Sequence, residues 1–309
     1  MSAVATPGPY PRRRPLRRLA LAAEPYLYSA PALILIAAVM LVPLVIGLSY
    51  AFRNIQLLDP LSGDFVGLDH FRELAGDENY WNALRNTVVW TAASVVIQFF
   101  LGLVLALLLN RPFPGRSVVQ GLIFLPWAVP AFLAGLDFAW LFNPVVGPLP
   151  HWLFGLGLMS APENILSDPD TALWGPIIAN VWWGTPFFAI TLLAALQSIP
   201  REIYESAAID GAGPIRRFRD ITLPFLAPTI AIAVLLRTVW IANAADLIVV
   251  MTGGGPADRT QIVASYIFTQ AYQRLDFGYA SAIATTLLLL LLAYAFVLIV
   301  LRQRLLGAQ

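Results

Sequence analysis

Residues 204–224 read YESAAIDGAGPIRRFRDITLP, and they separate two strongly apolar segments of the chain. A charge near the middle of a bilayer costs at least about 2.5–3.5 kcal/mol. A stretch with this many charges therefore predicts a segment in water between two membrane spans. Its glycines at 211 and 213 predict a turn between two short helices. The charged residues in and just before the stretch are Arg201, Glu202, Glu205, Asp210, Arg216, Arg217, Arg219 and Asp220.

The composition of the whole chain indicates a membrane protein. Of its 309 residues, 59% are hydrophobic and 12% are charged, whereas soluble domains carry about 25% charged residues. The 19 basic and 18 acidic residues nearly balance, which is not the pattern of a nucleic-acid-binding protein. Every basic residue is arginine, so a phosphate-binding loop with its obligatory lysine cannot occur here. With no cysteine and two distant histidines, no metal site is expected.

Six apolar stretches are long enough to cross a bilayer, which takes roughly 20 residues. We therefore predict an all-α polytopic membrane protein with six transmembrane helices. An arginine-rich tail at 1–30 precedes a six-span transmembrane domain at 31–309. The predicted spans are 31–52, 86–109, 118–142, 172–196, 225–250 and 279–301.

The arginines in the loops predict the orientation, because cytoplasmic loops are enriched in Lys and Arg. One side carries five arginines in the N-terminal tail, two in 110–117, four in 197–224 and two after 301. The loops of the other side, 53–85 and 252–278 among them, carry five in total. We expect both termini and the loop at 197–224 of this multi-pass protein to lie in the cytoplasm.

The charged stretch carries a motif of a known family. It resembles the signature of the integral membrane permeases of binding-protein-dependent ATP-binding-cassette importers, which reads E-A-A, three residues, G, nine residues, I-x-L-P. This chain departs from it only at Ser206, which replaces the first alanine with another small residue. The matching residues are Glu205, Ser206, Ala207, Gly211, Ile221, Leu223 and Pro224.

The resemblance implies a location in the bacterial inner membrane, a fold and a mode of action. It implies the type I importer permease fold, in which a cytoplasmic coupling helix, here 201–213, docks into a groove on a separate ATPase subunit. Glu205 would be the polar anchor and Gly211 the turn. The chain would hold no cofactor and perform no catalysis, with ATP-Mg bound by the partner ATPase.

Further segments resemble the carbohydrate branch of this family, of the maltose or glycerol-3-phosphate type. They are FVGLDHF at 65–71, WNALRNTVVWT at 81–91, MTGGGPADRTQ at 251–261 and DFGYASA at 276–282. A member of this branch would import a sugar or a related solute. Its expected partners are a second, homologous permease subunit in a heterodimer, two copies of the ATPase, an extracytoplasmic substrate-binding protein and membrane lipid, with no nucleic acid.

Three charged residues lie inside the predicted spans and are candidates for the translocation path. They are Asp137 in the third span and Arg237 and Asp246 in the fifth. Nine residues apart in one continuous helix, Arg237 and Asp246 would project on nearly opposite faces. Trp240 would share the face of Arg237, and Asn243 that of Asp246. Alternatively, Arg237 pairs with a partner subunit and the two aspartates lie at the wet interface.

Aromatic and proline residues in the third and fourth spans are further candidates. Trp182 and Trp183 lie near mid-depth of the fourth span, where sugar rings could stack on them. Core packing is the alternative for both. Pro126, Pro130 and Pro186 are expected to interrupt the two spans and free backbone carbonyls.

Other functions fit parts of the sequence. The same class of importer could carry glycerol phosphate, a polyamine or an amino acid, and Arg237 would suit an anionic solute. An ion-coupled secondary transporter would use the charged residues of the spans but gives no reason for the motif at 204–224. A membrane-embedded enzyme lacks a convergent set of His, Cys or paired carboxylates.

Overall fold

A computed structural model describes the backbone of residues 15–59 and 61–306 and the side chains of residues 26–59 and 61–303. The arginines predicted to orient the N-terminal tail lie outside the described side chains. The predicted all-α class is confirmed for the described residues. Their helices are α1 (Pro15–Ile36), α2 (Val42–Tyr50), α3 (Asp69–Gly76), α4 (Glu78–Leu109), α5 (Arg116–Ala128), α6 (Ala131–Leu141), α7 (Pro148–Gly155), α8 (Trp174–Gln197), α9 (Arg201–Ile209), α10 (Pro214–Arg217), α11 (Leu223–Asn243), α12 (Asp246–Met251), α13 (Val263–Phe268) and α14 (Phe277–Leu306).

The chain divides into two compact units, Met1–Tyr50 and Ala51–Gln309. In the first unit, a π-helical turn at Ala37–Leu41 joins α1 to α2. The stretch Tyr26–Tyr50 is long and apolar enough to span a membrane. The helix begins at Pro15, well before the predicted start at residue 31, so the tail assigned to 1–30 is helical over its described half.

The second unit contains four further helical segments that are long and apolar enough to span a membrane, together with a bent pair. The pair is α5 and α6, which meet at 93°. Val129, which precedes Pro130, is extended with φ −79° and ψ 128°, as the residue before a proline prefers. The predicted count of six spans holds when this bent pair is counted as one span. Pro130 lies at the break between the two helices. The predicted interruption at Pro126 and Pro186 was wrong, because α5 continues through Pro126 and α8 continues through Pro186.

The centre of the second unit is the crossing of α4 and α8. Gly102 of α4 lies directly against the backbone of Phe188 and Ala189 of α8, so a glycine is needed for this close approach. α11 packs on both helices, and the indole N–H of Trp90 donates to Ile241 O at 3.0 Å. These three helices bury most of the large apolar side chains of the core.

The predicted fifth span lies within one candidate span, at Pro214–Met251, but it consists of two helices. α11 ends at Asn243, because Ala244 is extended with φ −85° and ψ 95°, and α12 begins at Asp246. The expectation that Arg237 and Asp246 project on opposite faces assumed an unbroken helix, and it was wrong for this reason. The break lies between Arg237 and Asp246 and changes the rotation of one about the helix axis relative to the other.

The two ends of the bundle carry different segments of the chain. The docking end carries the loop between α4 and α5 together with residues 201–224, which line one cavity with it. The loop end carries the start of α4 and residues 252–279, which are hydrogen-bonded to each other. α4 has 32 residues, which is about 48 Å of helix, so these ends lie on opposite sides of the bundle.

Candidate functional site

The signature segment forms a helix that stops at a glycine turn. At the end of α9, the N–H of Ala212 donates to Ala207 O at 2.8 Å and the N–H of Gly211 donates to Ala208 O at 3.1 Å. This is the pairing of a Schellman cap. Gly211 has a φ of +75°, a left-handed conformation that costs an L-residue roughly 1–2 kcal/mol. The turn expected at Gly211 is therefore present.

The turn displays apolar side chains beside its charges. Ile209 is 88% exposed and Ile215 is 84% exposed, one on each side of the turn. Glu205 and Ser206 are also exposed on α9. Large exposed apolar residues in a polar surround suit a protein contact. Our selection from the sequence missed both isoleucines, although their position in an otherwise polar stretch was the available signal.

The segment is attached firmly to the bundle. The hydroxyl groups of Tyr204 and Thr222 are hydrogen-bonded at 2.9 Å, which joins α9 to the start of α11. Ile199 is buried in the core just before α9, and Phe218 packs against that core just after the turn. A displacement of α9 therefore acts directly on α8 and α11.

The remaining signature residues lie where the chain re-enters the bundle. Ile221 is half-buried in a π-helical turn, and Leu223 and Pro224 begin α11 with exposed side chains. Ala207 is half-buried on α9. The signature therefore covers both the exposed helix and its connection to the next span.

A buried polar cluster joins three helices inside the bundle. The Arg237 side chain of α11 is 1% exposed, and its Nε donates to Gln98 Oε1 of α4 at 2.7 Å. Gln98 Nε2 in turn donates to the Asn180 carbonyl of α8 at 2.8 Å. The guanidinium also lies 5.2 Å from the centre of the Trp183 ring, a cation–π distance.

A glycine makes room for this cluster. A Cβ built on Gly184 would overlap Arg237 Nη2 and would lie 2.7 Å from Gln98 Cδ. Within the described chain, Arg237 Nη2 and Asn180 Nδ2 are buried without a hydrogen-bond partner. Unpaired buried donors are costly, so they indicate a site that a solute, water or another subunit completes.

Four of the predicted path residues line one cavity of about 130 Å³. They are Trp183, Arg237, Trp240 and Asp246, and Asn180 lines it with them. The break after α11 brings Asp246 to the same cavity as Arg237, although no ion pair within 4 Å joins them among the described residues. Trp183 is held in place by its indole N–H, which donates to Val129 O at 2.7 Å.

The other three predicted path residues lie elsewhere. Asp137 is exposed on α6, and Trp182 is 42% exposed and packs against Phe138 with ring centres 5.4 Å apart. Asn243 is exposed, and its amide donates to Val239 O of its own helix. None of them contributes to the cavity around Arg237.

At the loop end, side chains of α4 fix the loop that follows α12. Asn82 donates to Asp258 O at 2.7 Å, and Asn86 donates to Arg259 O at 3.0 Å and Gln261 O at 2.9 Å. We did not select these asparagines from the sequence, because their partners lie about 175 residues away. No group of three or more His, Asp or Glu side chains in the described residues is arranged to hold a metal ion.

Comparisons with known proteins agree with this architecture. The chain matches the family described as the inner membrane component of binding-protein-dependent transport systems, over residues 98–306. It is 37% identical over 260 residues to the sulfoquinovosyl glycerol transport system permease protein of Agrobacterium fabrum, covering 84% of this chain and 83% of that protein. It is also 37% identical over 233 residues to the trehalose/maltose transport system permease protein of Thermococcus litoralis, covering 75% and 78%.

A solved structure has the same fold. It is a crystal structure of a bacterial ABC transporter involved in the import of the acidic polysaccharide alginate. One of its chains superposes with a TM-score of 0.79 at 26% identity, covering 93% of this chain and 99% of that one. The bent and broken helices described above therefore occur in a fold that membrane importers use.

Proposed function

The chain belongs to the family of inner membrane components of binding-protein-dependent transport systems, and from this membership we propose how it is driven and what it carries. It is a permease subunit of an ATP-driven importer and has no catalytic site of its own. The mechanism rests on α9 and its glycine turn. The turn is exposed, and α9 is held to the bundle by the hydrogen bond between Tyr204 and Thr222.

We propose that the docking end faces the cytoplasm and that both termini lie there. The arginine asymmetry of the loops supports this orientation. The loop end then faces the outside, where a substrate-binding protein would deliver the solute. In this orientation the exposed α9 lies on the cytoplasmic side, where ATP is available.

The partner at the docking end is an ATPase dimer that holds ATP-Mg, one copy for each permease subunit. Glu205 and the two exposed isoleucines supply a charge and apolar contacts for a groove on that ATPase. Closure of the ATPase dimer would push on α9. Tyr204 and Thr222 would pass the displacement to α8 and α11, which line the membrane cavity.

A second, homologous permease subunit completes the path in this proposal. The cavity around Arg237 measures about 130 Å³, below the roughly 300–1,000 Å³ of small-molecule sites, so this subunit alone does not enclose a sugar. The unpaired donors of Arg237 and Asn180 are available to a solute once the partner and a conformational change enlarge the cavity. We propose Trp183, Arg237, Trp240 and Asp246 as its lining.

The solute is proposed to be a sugar or a sugar derivative. The relatives described above transport sulfoquinovosyl glycerol and trehalose or maltose by name. Hydroxyl-rich solutes suit a cavity that combines two indole rings with amide, guanidinium and carboxylate groups. A glycerol phosphate would use the same guanidinium.

Charge reversal at Glu205 tests the docking proposal. In membranes that contain the whole importer, Glu205→Lys is expected to release the ATPase in pull-down and to abolish ATP-driven uptake of a labelled sugar. Glu163→Lys is the matched control, because Glu163 is an exposed carboxylate in the loop before α8. It should retain the ATPase. Full retention of the ATPase by Glu205→Lys, or uptake driven by an ion gradient without ATP, would contradict the proposal.

A further inference from the structure

A polar cup of about 560 Å³ opens at the loop end, apart from the membrane cavity. It lies where the segment after α2 meets the segment between α13 and α14. Backbone hydrogen bonds join these segments, since Leu57 N–H donates to Leu275 O at 3.0 Å and Phe277 N–H donates to Ile55 O at 2.9 Å. The walls of the cup are therefore fixed by the fold.

One carboxylate ties the base of the cup together. Asp77 Oδ2 accepts hydrogen bonds from the hydroxyls of Tyr266 and Tyr279, both at 2.6 Å, and its Oδ1 accepts one from Asn79 N–H at 2.9 Å. Burial alone would raise the pKa of Asp77, but these hydrogen bonds outweigh it and hold the pKa below its usual value. The carboxylate is therefore ionised, and both of its oxygens already accept hydrogen bonds. It holds the base of the cup in place.

The lining shows which ligands the cup can take. Its described residues carry no aliphatic side chain, which favours a polar ligand over an apolar one. They include carboxylates, guanidiniums and primary amides, so both hydrogen-bond acceptors and donors face the space. The lining side chains that make no hydrogen bond to Asp77 include Gln56, Glu73, Asn79, Arg274 and Asp276.

The charges of the lining decide which ligand the cup suits. Gln270 is only 2% exposed and supports the wall of the cup beside Tyr266. Arg72, at the rim, is bonded to Asp69 at 2.8 Å. The lining as a whole carries three carboxylates against two guanidiniums, those of Arg72 and Arg274, so its net charge does not favour an anion.

We propose that this cup is a binding site for a neutral sugar at the outer face of the permease. Its volume lies within the roughly 300–1,000 Å³ of small-molecule sites. A sugar hydroxyl both donates and accepts, so one ring can donate to the carboxylates while it accepts from the amides and Arg274. The site is separate from the cavity around Arg237. A solute can therefore bind in the cup without any rearrangement of the membrane helices.

Binding of methyl α-glucoside to the assembled importer, without binding protein or ATP, tests this proposal. Saturation-transfer NMR should show contact in the unmodified protein and in Arg85→Ala, whose exposed arginine lies on α4 outside the cup. Arg274→Ala and Asn79→Ala should each weaken binding, by about ten-fold for the guanidinium. Both side chains are exposed, and the Asn79 contact to Asp77 uses its backbone, so the fold should survive.

Several results would overturn the proposal. Equal binding in all four proteins would place the sugar elsewhere, such as the membrane cavity. Tighter binding of glucuronate than of the neutral glucoside would contradict the charge argument. Cup variants that bind the glucoside normally but lose affinity for the substrate-binding protein would make the cup a protein contact. Because ATP and the binding protein are absent, failure here leaves the import function untouched, and a docking variant such as Glu205→Lys should still bind the glucoside.

Discussion

The buried pair of Gln98 and Arg237 gives a quantitative prediction about what holds the bundle together. Gln98→Leu removes the acceptor of a charge-assisted hydrogen bond, worth about 1.5–3 kcal/mol, and a second bond to the Asn180 carbonyl, worth about 0.5–1.5 kcal/mol. It also leaves a guanidinium that is 1% exposed without its main partner. We expect a loss of about 2–4 kcal/mol in the free energy of unfolding.

The double variant separates a structural role from a role in transport. Arg237→Met alone strands the Gln98 side-chain oxygen as a buried acceptor, at about 1–3 kcal/mol. Combining Gln98→Leu with Arg237→Met replaces the polar pair by apolar groups of similar length, which is often nearly neutral. The double variant should therefore be more stable than the single Gln98→Leu variant, with a coupling energy of about 0.5–3 kcal/mol.

Two measurements on the purified importer check this cycle. Thermal unfolding in detergent gives the stability of the four proteins, and ATP-driven uptake in proteoliposomes gives their transport. If Arg237 lines the solute path, the double variant recovers stability but not uptake. Additive losses in stability, with no coupling between the two positions, would refute the reasoning that this bond clamps α4 to α11.

Two glycine substitutions extend the test to the helix crossing and to the turn. Gly102→Ala should cost about 1–3 kcal/mol by overpacking, because its Cβ would lie 3.0 Å from the backbone nitrogen of Ala189 and closer still to Phe188 Cβ. The control is Gly121→Ala on α5, whose Cβ would meet nothing within 4 Å and which should be neutral in the same thermal unfolding assay. Equal stability of the two variants would contradict the close crossing. At the turn, Gly211→Val should impair ATPase pull-down and uptake, because the φ of this residue is +75°. Gly211→Asn should keep most of the pull-down and most of the uptake, since asparagine tolerates this conformation. Equal loss in the two variants would show that the backbone angle is not what the position requires.

The class of the protein and the exposed segment at 204–224 could be predicted from the sequence because both rest on local patterns. Runs of about 20 apolar residues identify spans wherever they occur, and charges between them mark segments in water. The turn at Gly211 follows from a glycine at the end of a short helix. Even so, the span predicted at 31–52 did not show that the helix begins at Pro15, and the span predicted at 118–142 is bent between α5 and α6. The prolines gave the signal for that bend but not its angle of 93°.

The break after α11 shows where local reasoning stops. Asn243, Ala244 and Ala245 contain no proline or glycine, so nothing in the sequence indicated that the helix would end there. The assumption of a continuous helix then gave the wrong geometry for Arg237 and Asp246. Packing of α12 against α6 and α8 decides this turn, and such packing overrides helix propensity.

The sequence by itself determined that this is a polytopic helical membrane protein, and it located the exposed segment that resembles an importer's coupling helix. These properties depend on composition and short-range spacing, which are present in the chain before it folds. Only the tertiary structure decided which polar residues meet. Gln98 and Arg237 are 139 positions apart, and Asp77 and Tyr279 are 202 positions apart. Their contacts depend on how the helices cross, and a helix presents a different set of neighbours at every crossing angle.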